Sequence, residues 1–475
     1  MKKQFITFMI LVCFTIQASA QSFQSGNLVY TIISTDPPCL SLDGHVDGTN
    51  AQGELIIPET VEHEETVYIV TRIGNEAFYQ CSNLVGNLLI PNTIDTIQAR
   101  SFSFCSGFTG DLIIPNSVRY MGAAAFEWCS GFDGTLVLSN AINRIAISTF
   151  EGCLGLSGTL TIPSSVSSIG PAAFGSCSGF TGALVIPESV TELNTPVPPI
   201  NGIRGTFQEC TGFTSLVLPE SLRIIGGGEG GEGCFAWCSN LSGTLNLPDS
   251  LREIGDGAFA GCVGFTGILT LPDSLTYIGS EAFMGCTGLY GEIVIPHSVT
   301  LIDVEAFRYC PGFTSVTLGA RLERMEHNVF MDTPIEAIKI HAETPPSLHF
   351  NAFNGIDKNI PVYIPCHTLD LYRYTEVWGE FTNFIEDCSL VVDEDGVDGI
   401  IVSAFPNPTK AFLYFEYSPD VTPKKIDLYD LQGRLVRRQT TALECINMEG
   451  LAAGTYMMRV TLEGGKTFSD KVVKE

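Results

Sequence analysis

The chain has 475 residues, with 52 Asp and Glu against 25 Lys and Arg, for a formal charge of −27. A surface so acidic repels phosphate and cannot displace the counterions of DNA or RNA, which excludes nucleic acid as a partner. A hydrophobic fraction of 45% with 30 Phe excludes a disordered chain, and 48 Gly with 25 Pro announce frequent turns. The acidity is uneven: residues 1–400 hold 15 basic and 43 acidic residues, a balance of −28, whereas 401–475 hold 10 and 9, a balance of +1. Two compositional regions meet near residue 400.

At the N-terminus, Met1–Lys2–Lys3, the apolar run Phe5–Ile16 and the small residues Ala18–Ser19–Ala20 read as a secretory signal over 1–20, cleaved before Gln21. The apolar run is too short to cross roughly 30 Å of hydrocarbon, and no later segment supplies the ~20 apolar residues of a span.

The middle of the chain repeats. Cys81, Cys105, Cys129, Cys153 and Cys177 are each 24 apart, as are Cys238, Cys262, Cys286 and Cys310, with Cys210 between the two runs. Three residues before each Cys stands a Phe, from Phe78 to Phe307. Leu-x-Ile-Pro phrases such as Leu112–Pro115 follow most of these Cys, and Ile-Gly phrases such as Ile169–Gly170 follow those. One such unit cannot bury its own apolar side chains, so a fixed period in the twenties predicts a solenoid of stacked coils. Alternation within Leu-x-Ile sends Leu and Ile inward, and equivalent strands stack about 4.8 Å apart in a parallel β-sheet. Twelve rungs are counted from Ile56 to Lys339, joined by short irregular or helical turns, with the Phe column as spine of the core.

Ile162–Cys177, reading Ile-Pro-x-x-Val-x-x-Ile-Gly-x-x-Ala-Phe-x-x-Cys, resembles the BspA-like, or Treponema-type, leucine-rich repeat, and the resemblance covers roughly residues 50–385. Asn27–Ile33 and Val67–Val70 are similar to that family's N-terminal β cap. Thr344-Pro-Pro, Ala352–Phe353, Tyr363-Ile-Pro and Tyr372, Trp378 and Phe381 are similar to its closing segment. The expected organisation is a cap with first rung over 21–72, the solenoid over 73–340 and a C-terminal cap over 341–390. Ser139 and Gly319 stand where Pro is usual, and Thr333 replaces Cys in the last rung. The resemblance implies adhesion to host proteins or to other bacteria.

The regular Cys spacing argues for a ladder of small, buried, unbridged thiols over disulfides between adjacent rungs. Cys366 and Cys388 fall outside the ladder and flank the C-terminal cap, where a disulfide or two thiols are both open. No Cys-x-x-Cys pair exists, and no metal or cofactor is implied.

The outward residue of each Leu-x-Ile strand forms a stripe: Ile56, Leu89, Ile113, Val137, Thr161, Val185 and Val217, then Asn246, Thr270, Val294, Thr317 and Lys339. Its first half is almost wholly apolar, more than strand propensity demands, which makes it a candidate protein- or glycan-contacting face. The competing reading is β-branched filling, in which neighbouring side chains shield one another. Two rungs are lengthened, at 194–205 with Pro196, Pro198 and Pro199, and at 226–233 with Glu229 and Glu232. They emerge side by side, as a binding surface or as neutral insertions.

Residues 391–400 read as an acidic, solvated linker. Beyond it, β-rich runs predict a small sandwich over 401–475. Phe405-Pro406-Asn407-Pro408, Asp430-Leu-Gln-Gly433-Arg434, Leu451-Ala-Ala-Gly454-Thr-Tyr456 and Lys471-Val-Val-Lys474 resemble, in order, the motifs of the C-terminal sorting domain of Bacteroidetes type IX secretion. That resemblance implies the type IX export machinery as partner, passage through both membranes, removal of the domain, and attachment to surface lipopolysaccharide rather than a spanning helix.

For an enzyme the sequence offers little. None of the seven His forms His-Glu-x-x-His, Glu62–Glu65 reads as a solvated loop, and no Gly-x-Ser-x-Gly occurs. The reading is a non-enzymatic surface or secreted binding protein, an adhesin for protein or glycan. The alternatives are a self-associating surface-layer component or a secreted hydrolase without a recognisable motif.

Overall fold

In each period two apolar phrases become two short strands, and the Ala-Phe phrase becomes a half-turn that brings the chain to the next coil. The computed structural model describes residues 21–194, 204–227, 232–390, 402–405, 408–417, 422–430, 434–462 and 467–475. The signal segment 1–20 and the acidic linker 391–400 lie outside them. Two compact units arise, Met1–Gly267 with Gly279–Gly288, and Ile268–Ile278 with Leu289–Glu475.

In the first unit the Leu-x-Ile phrases pair in parallel, Gln52–Ile56 with Asn83–Leu89, Leu112–Ile113 with Leu136–Val137, and Gly182–Val185 with Phe213–Val217. Alternation buries Leu112 and Ile114, Leu136 and Leu138, and Leu184 and Ile186. The Ile-Gly phrases make a second parallel ladder, through Thr66–Ile73, Thr96–Ile97 and Tyr120–Met121, and again from Arg144–Ile145 to Glu253–Ile254. Before the first coil, Ser22–Ser25, Leu28–Thr35 and Pro38–His45 form an antiparallel meander, whose third strand lies parallel to Thr66–Ile73. The meander thereby covers the open edge that a first coil would otherwise present.

In the second unit Gly291–Val294, Phe313–Leu318, Ala337–Ile340, Pro361–Ile364 and Asn383–Glu386 pair in that order, all parallel. The ladder therefore continues two strands beyond Lys339, where the sequence pattern stops, with Tyr363 and Ile385 in register behind Lys339. Thr317 lies on the outer face, in register with Val294 and Lys339, yet is covered there, its hydroxyl 2.6 Å from the Glu292 carboxylate. The end is closed by Leu369–Tyr374 and the turn after it: the Tyr372 hydroxyl donates to the Ala342 carbonyl at 2.6 Å, and Trp378 Nε1 donates to Pro346 at 2.9 Å.

The half-turns are built on alternating hydrogen bonds. The Phe78 and Gln80 amides reach the Ser101 and Ser103 carbonyls of the next coil at 2.7 and 2.8 Å, while those of Ala77, Tyr79 and Cys81 close back within their own coil. The residues two before and two after the Phe lie in the left-handed region, as at Glu76 (54°) and Gln80 (59°), or Arg100 (55°) and Phe104 (64°). Inside, the Phe rings stack. Phe78, Phe102, Phe126, Phe150, Phe174, Phe207, Phe235, Phe259 and Phe283 follow one another with centroids 5.3–5.7 Å apart. A second column, Phe108 on Phe132 and Phe180 on Phe213, meets the first edge-on and was not singled out from the sequence.

The ladder cysteines are buried thiols. Each donates to the carbonyl of the Phe one coil earlier, from Cys105 on Phe78 at 2.9 Å to Cys286 on Phe259 at 3.2 Å. Burial pushes the Cys153 and Cys238 thiols up to about 12. In the second unit the Thr333 hydroxyl makes the same bond to Phe307 at 2.7 Å, which is why Thr can stand in for Cys there. Ser139 has a similar logic. Ser189, Ser221 and Ser250 each donate to a carbonyl one coil earlier, and the matching position in the Ser139 rung is Ala141. The Ser139 hydroxyl, in the place of Pro, supplies the bond to Val118 at 2.6 Å.

The C-terminal residues form two antiparallel sheets. Val402–Phe405, Phe412–Tyr417 and Cys445–Asn447 make one; Leu435–Gln439, Pro423–Tyr429, Gly454–Leu462 and Thr467–Lys474 make the other. Leu413, Phe415 and Ile446 of the first pack with Ile426, Leu428, Met458 and Val460 of the second in one core.

Candidate binding surfaces

The strand register aligns the stripe residues in three pairs. Ile56 pairs with Leu89, Ile113 with Val137 and Val185 with Val217, each side chain on the outer face. Ile56 and Leu89 are 76% and 73% exposed, and Ile113, Val137, Val185 and Val217 are about half exposed, so they do not shield one another fully. Thr161 is exposed within the same line. Polar groups flank the column: the Asp111 carboxylate takes the Thr135 amide and hydroxyl at 2.6 and 2.9 Å, bonds that hold its carboxyl below the ordinary range. Apart from the Thr161 hydroxyl, the row offers apolar area with a polar rim and no side-chain donor or acceptor of its own.

In the second unit the corresponding face carries a recess of about 300 Å³, lined by Ile268, Thr270, Glu292, Val294, His297 and His341. The two imidazoles meet edge to face at 4.7 Å, and Glu292 is held by Thr317 and Lys339.

Of the residues expected on the insertions, Pro196, Pro198, Pro199 and Glu229 lie outside the described residues, and Glu232 is half-buried. Arg204 binds Glu209 and donates to Ser176 Oγ at 2.8 Å, with its Nε 3.6 Å from Glu151. Ser176 Oγ in turn donates to Glu209 at 2.8 Å. Burial lifts the Glu151 carboxyl above its ordinary range, the charges of Glu127 and Glu232 adding to it and Ser148 and Arg204 opposing.

These groups sit on the half-turn edge, which the sequence reading passed over. The residue two after each core Phe forms a row here: Phe104, Trp128, Gly152, Ser176, Glu209, Trp237 and Gly261 on successive coils. At both Trp the next coil has a left-handed Gly, φ 72° at Gly152 and 69° at Gly261, and a Cβ at either would fall into the indole ring. Each ring therefore lies against the backbone of its neighbour. Trp-Cys followed one period later by Gly-Cys was the legible signal.

Cys366 and Cys388 are joined in a disulfide, with Cα atoms 4.8 Å apart. In the C-terminal sheets Pro408, Gly454 and Lys471 are exposed, Lys474 is half-buried and Tyr456 is buried with its hydroxyl on Ala452 at 2.8 Å; Pro406, Asn407 and Gly433 lie outside the described residues. Asp427 is shielded between Arg438 and Lys425 at the sheet surface, and these two hold its carboxyl down at about 2. Among the described residues, no three His, Cys, Asp or Glu are grouped so as to hold a metal ion, and no helix is long and apolar enough to cross a membrane.

Residues 60–196 and 203–336 match the family model described as the BspA type leucine rich repeat region, in six copies, and residues 403–475 match that of the secretion system C-terminal sorting domain. Among solved structures, the chain is similar to a leucine-rich repeat protein from Bacteroides ovatus, at 22% identity over 77% of this chain and 99% of that one, TM-score 0.42. It is also similar to the pneumococcal vaccine antigen PcpA, at 16% identity over 78% and 99% of the two chains, TM-score 0.44. A leucine rich cell surface protein from Faecalibacterium prausnitzii shares 21% identity over 63% and 94%, TM-score 0.33. No curated protein matches the chain.

Proposed function

We propose, starting from the fact that this chain belongs to the BspA type leucine-rich repeat family, that it is a non-enzymatic adhesin. Its sorting domain sends it through type IX secretion to the cell surface or the extracellular space. There the repeats hold a protein of the host or of a neighbouring bacterium. The observation that carries the reading is the set of outward, exposed apolar pairs Ile56–Leu89, Ile113–Val137 and Val185–Val217, each in register. A protein that leaves repeated apolar pairs open to water has a use for them, because covering them is favourable by roughly 25 cal/mol per Å². β-branched side chains on a hydrogen-bonded sheet lose little entropy on contact, which suits a flat protein partner. A glycan would need polar groups that this row lacks.

The test is binding of the full chain to immobilised matrix proteins and to co-resident bacteria, with Ile113→Lys and Val137→Lys as variants. Loss of binding with unchanged melting supports the reading; binding that survives both substitutions overturns it. Concentration-dependent self-association abolished by the same substitutions would assign the stripe to a surface layer instead.

A further inference from the structure

A second recognition surface lies on the half-turn edge, independent of the apolar stripe. We propose that the row Trp128–Gly152–Ser176–Glu209–Trp237–Gly261 binds a neutral polysaccharide, with the two indoles as stacking platforms and the groups between them as hydrogen-bond partners for sugar hydroxyls.

The platforms are built the same way twice. An indole sits flat only where nothing projects beneath it, and in both cases the next coil supplies a Gly in the left-handed region, at Gly152 and Gly261. The intervening coils, which carry no Trp, are followed by Ser176 and Glu209 rather than Gly. With one face of the ring against backbone, Trp237 remains 48% exposed, whereas Trp128 is half-buried and offers the smaller platform. A large flat apolar face with a satisfied underside is suited to the C–H face of a pyranose ring, which is itself apolar and flat.

Between the platforms the row is polar and pre-organised. Ser176 Oγ is buried and fixes Glu209 and the Arg204 guanidinium, which also bond each other; Arg204 also reaches Glu151, and it is the 31% of the Arg204 and 44% of the Glu209 side chain left open to solvent that can meet a sugar. Paired donors and acceptors held in place are what a hydroxyl, both donor and acceptor, requires. Trp128 and Trp237 are four coils apart, or about 19 Å at the usual strand spacing, a distance that a few sugar rings span. Charge selects the class. The first 400 residues carry a balance of −28, and Arg204 is paired with Glu151 and Glu209 while Glu127 and Glu232 add their charge at Glu151, so uronic or sialic acids are repelled and a neutral chain is not.

Affinity electrophoresis of the full chain tests this, through gels containing mannan, mixed-linkage β-glucan, xyloglucan or arabinoxylan, with hyaluronan and polygalacturonate as acidic counterparts. Indole emission provides a second readout, since the third Trp of the chain, Trp378, is buried in the cap. Retardation by at least one neutral polysaccharide is expected, with a shift in emission, and Trp237→Ala should weaken it about tenfold, as a lost stacking contact of ~1.4 kcal/mol requires. Glu209→Gln, which leaves both indoles in place, should weaken it too. Ile113→Lys should leave it unchanged, so failure of the stripe reading and failure of this one are separable. No retardation by any neutral polysaccharide overturns the proposal. So does retardation that both Trp237→Ala and Glu209→Gln leave intact, or retardation by the acidic polymers alone.

Discussion

Replacing Phe259 by Ala is the most direct test of the stacked-ring core. The ring is wholly buried, 5.5 Å from Phe235 on one side and 5.5 Å from Phe283 on the other, with Phe265 edge-on at 6.2 Å. Removing a buried Phe typically costs about 3–5 kcal/mol, the spread reflecting how far the surroundings can collapse. Collapse is hindered here, because backbone bonds from Phe259 to Ala282 and from Gly261 to Met284, both 2.8 Å, fix the spacing of adjacent coils. Three ring contacts are lost as well, so the upper end is expected, about 4–5 kcal/mol. Coils touch only their neighbours, so the damage is local and should split the unfolding curve into two transitions. Equilibrium urea unfolding reads the total by circular dichroism. Indole emission reads the site, because Trp237 lies on Gly261, two residues from the mutation. A loss below about 1 kcal/mol, the size of an ordinary surface substitution, would refute the column as the core's spine. So would a single transition with unshifted Trp emission. Phe259→Leu should fall between Ala and wild type.

The thiol ladder gives an alkaline limit to stability. Burial raises Cys153 and Cys238 from 9.0 to about 12, so the folded state keeps protons that the unfolded chain releases; stability is full below pH 9 and falls as pH rises from 9 towards 12. Melting temperatures measured across that range should drop, and Cys153→Ser should flatten the fall; a pH-independent melt would contradict the burial. Reducing the Cys366–Cys388 disulfide, which closes 22 residues of separation, should loosen the cap by about 3 kcal/mol while sparing the first unit. Limited proteolysis with and without reductant checks this, the expected outcome being new cleavage confined to 341–390.

How much of this was legible can be judged at particular positions. Periodicity alone located the inward Leu112 and Ile114 and the Phe spine, because a strand's alternation and a column's repeat are both written in residue type. It stopped at Lys339, since Pro361–Ile364 and Asn383–Glu386 pair in the same ladder while carrying Val-Tyr-Ile and Phe-Ile-Glu in place of Leu-x-Ile. Hydrogen bonding to a neighbouring strand depends on backbone, and backbone leaves little trace in composition once one flank is a cap. Thr317 was placed outward by alternation, yet Glu292 on the adjacent strand draws its hydroxyl under cover. The platform row escaped notice for a different reason: a Trp and the Gly beneath it are 24 residues apart in sequence and adjacent only when coils stack.

The half-turn also explains why recognition would settle on that edge. A left-handed residue other than Gly costs about 1–2 kcal/mol, and Glu76, Arg100, Ala124, Ser148 and Ala172 all accept that cost. What offsets it is the run of amide bonds to the next coil, such as those from Phe102 to Ala125 and Phe104 to Glu127, each contributing about 1 kcal/mol net. Since those bonds are made by backbone, the side chain two after the Phe is not needed to hold the turn. Gln80, Phe104, Trp128, Ser176, Glu209 and Trp237 occupy equivalent positions with the same left-handed geometry, 54–64° in φ. The scaffold fixes where each side chain starts and leaves its chemistry open, so a row of unlike groups can be set at constant spacing without disturbing the core. The outward position on the sheet is narrower in choice, since pairing there favours β-branched residues, yet Asn246, Thr270 and Lys339 show that it too can change without disturbing the inward Leu and Ile. Variation in ligand would therefore be written on both outer rows, most freely on the half-turn edge, and variation in stability in the Phe column beneath it.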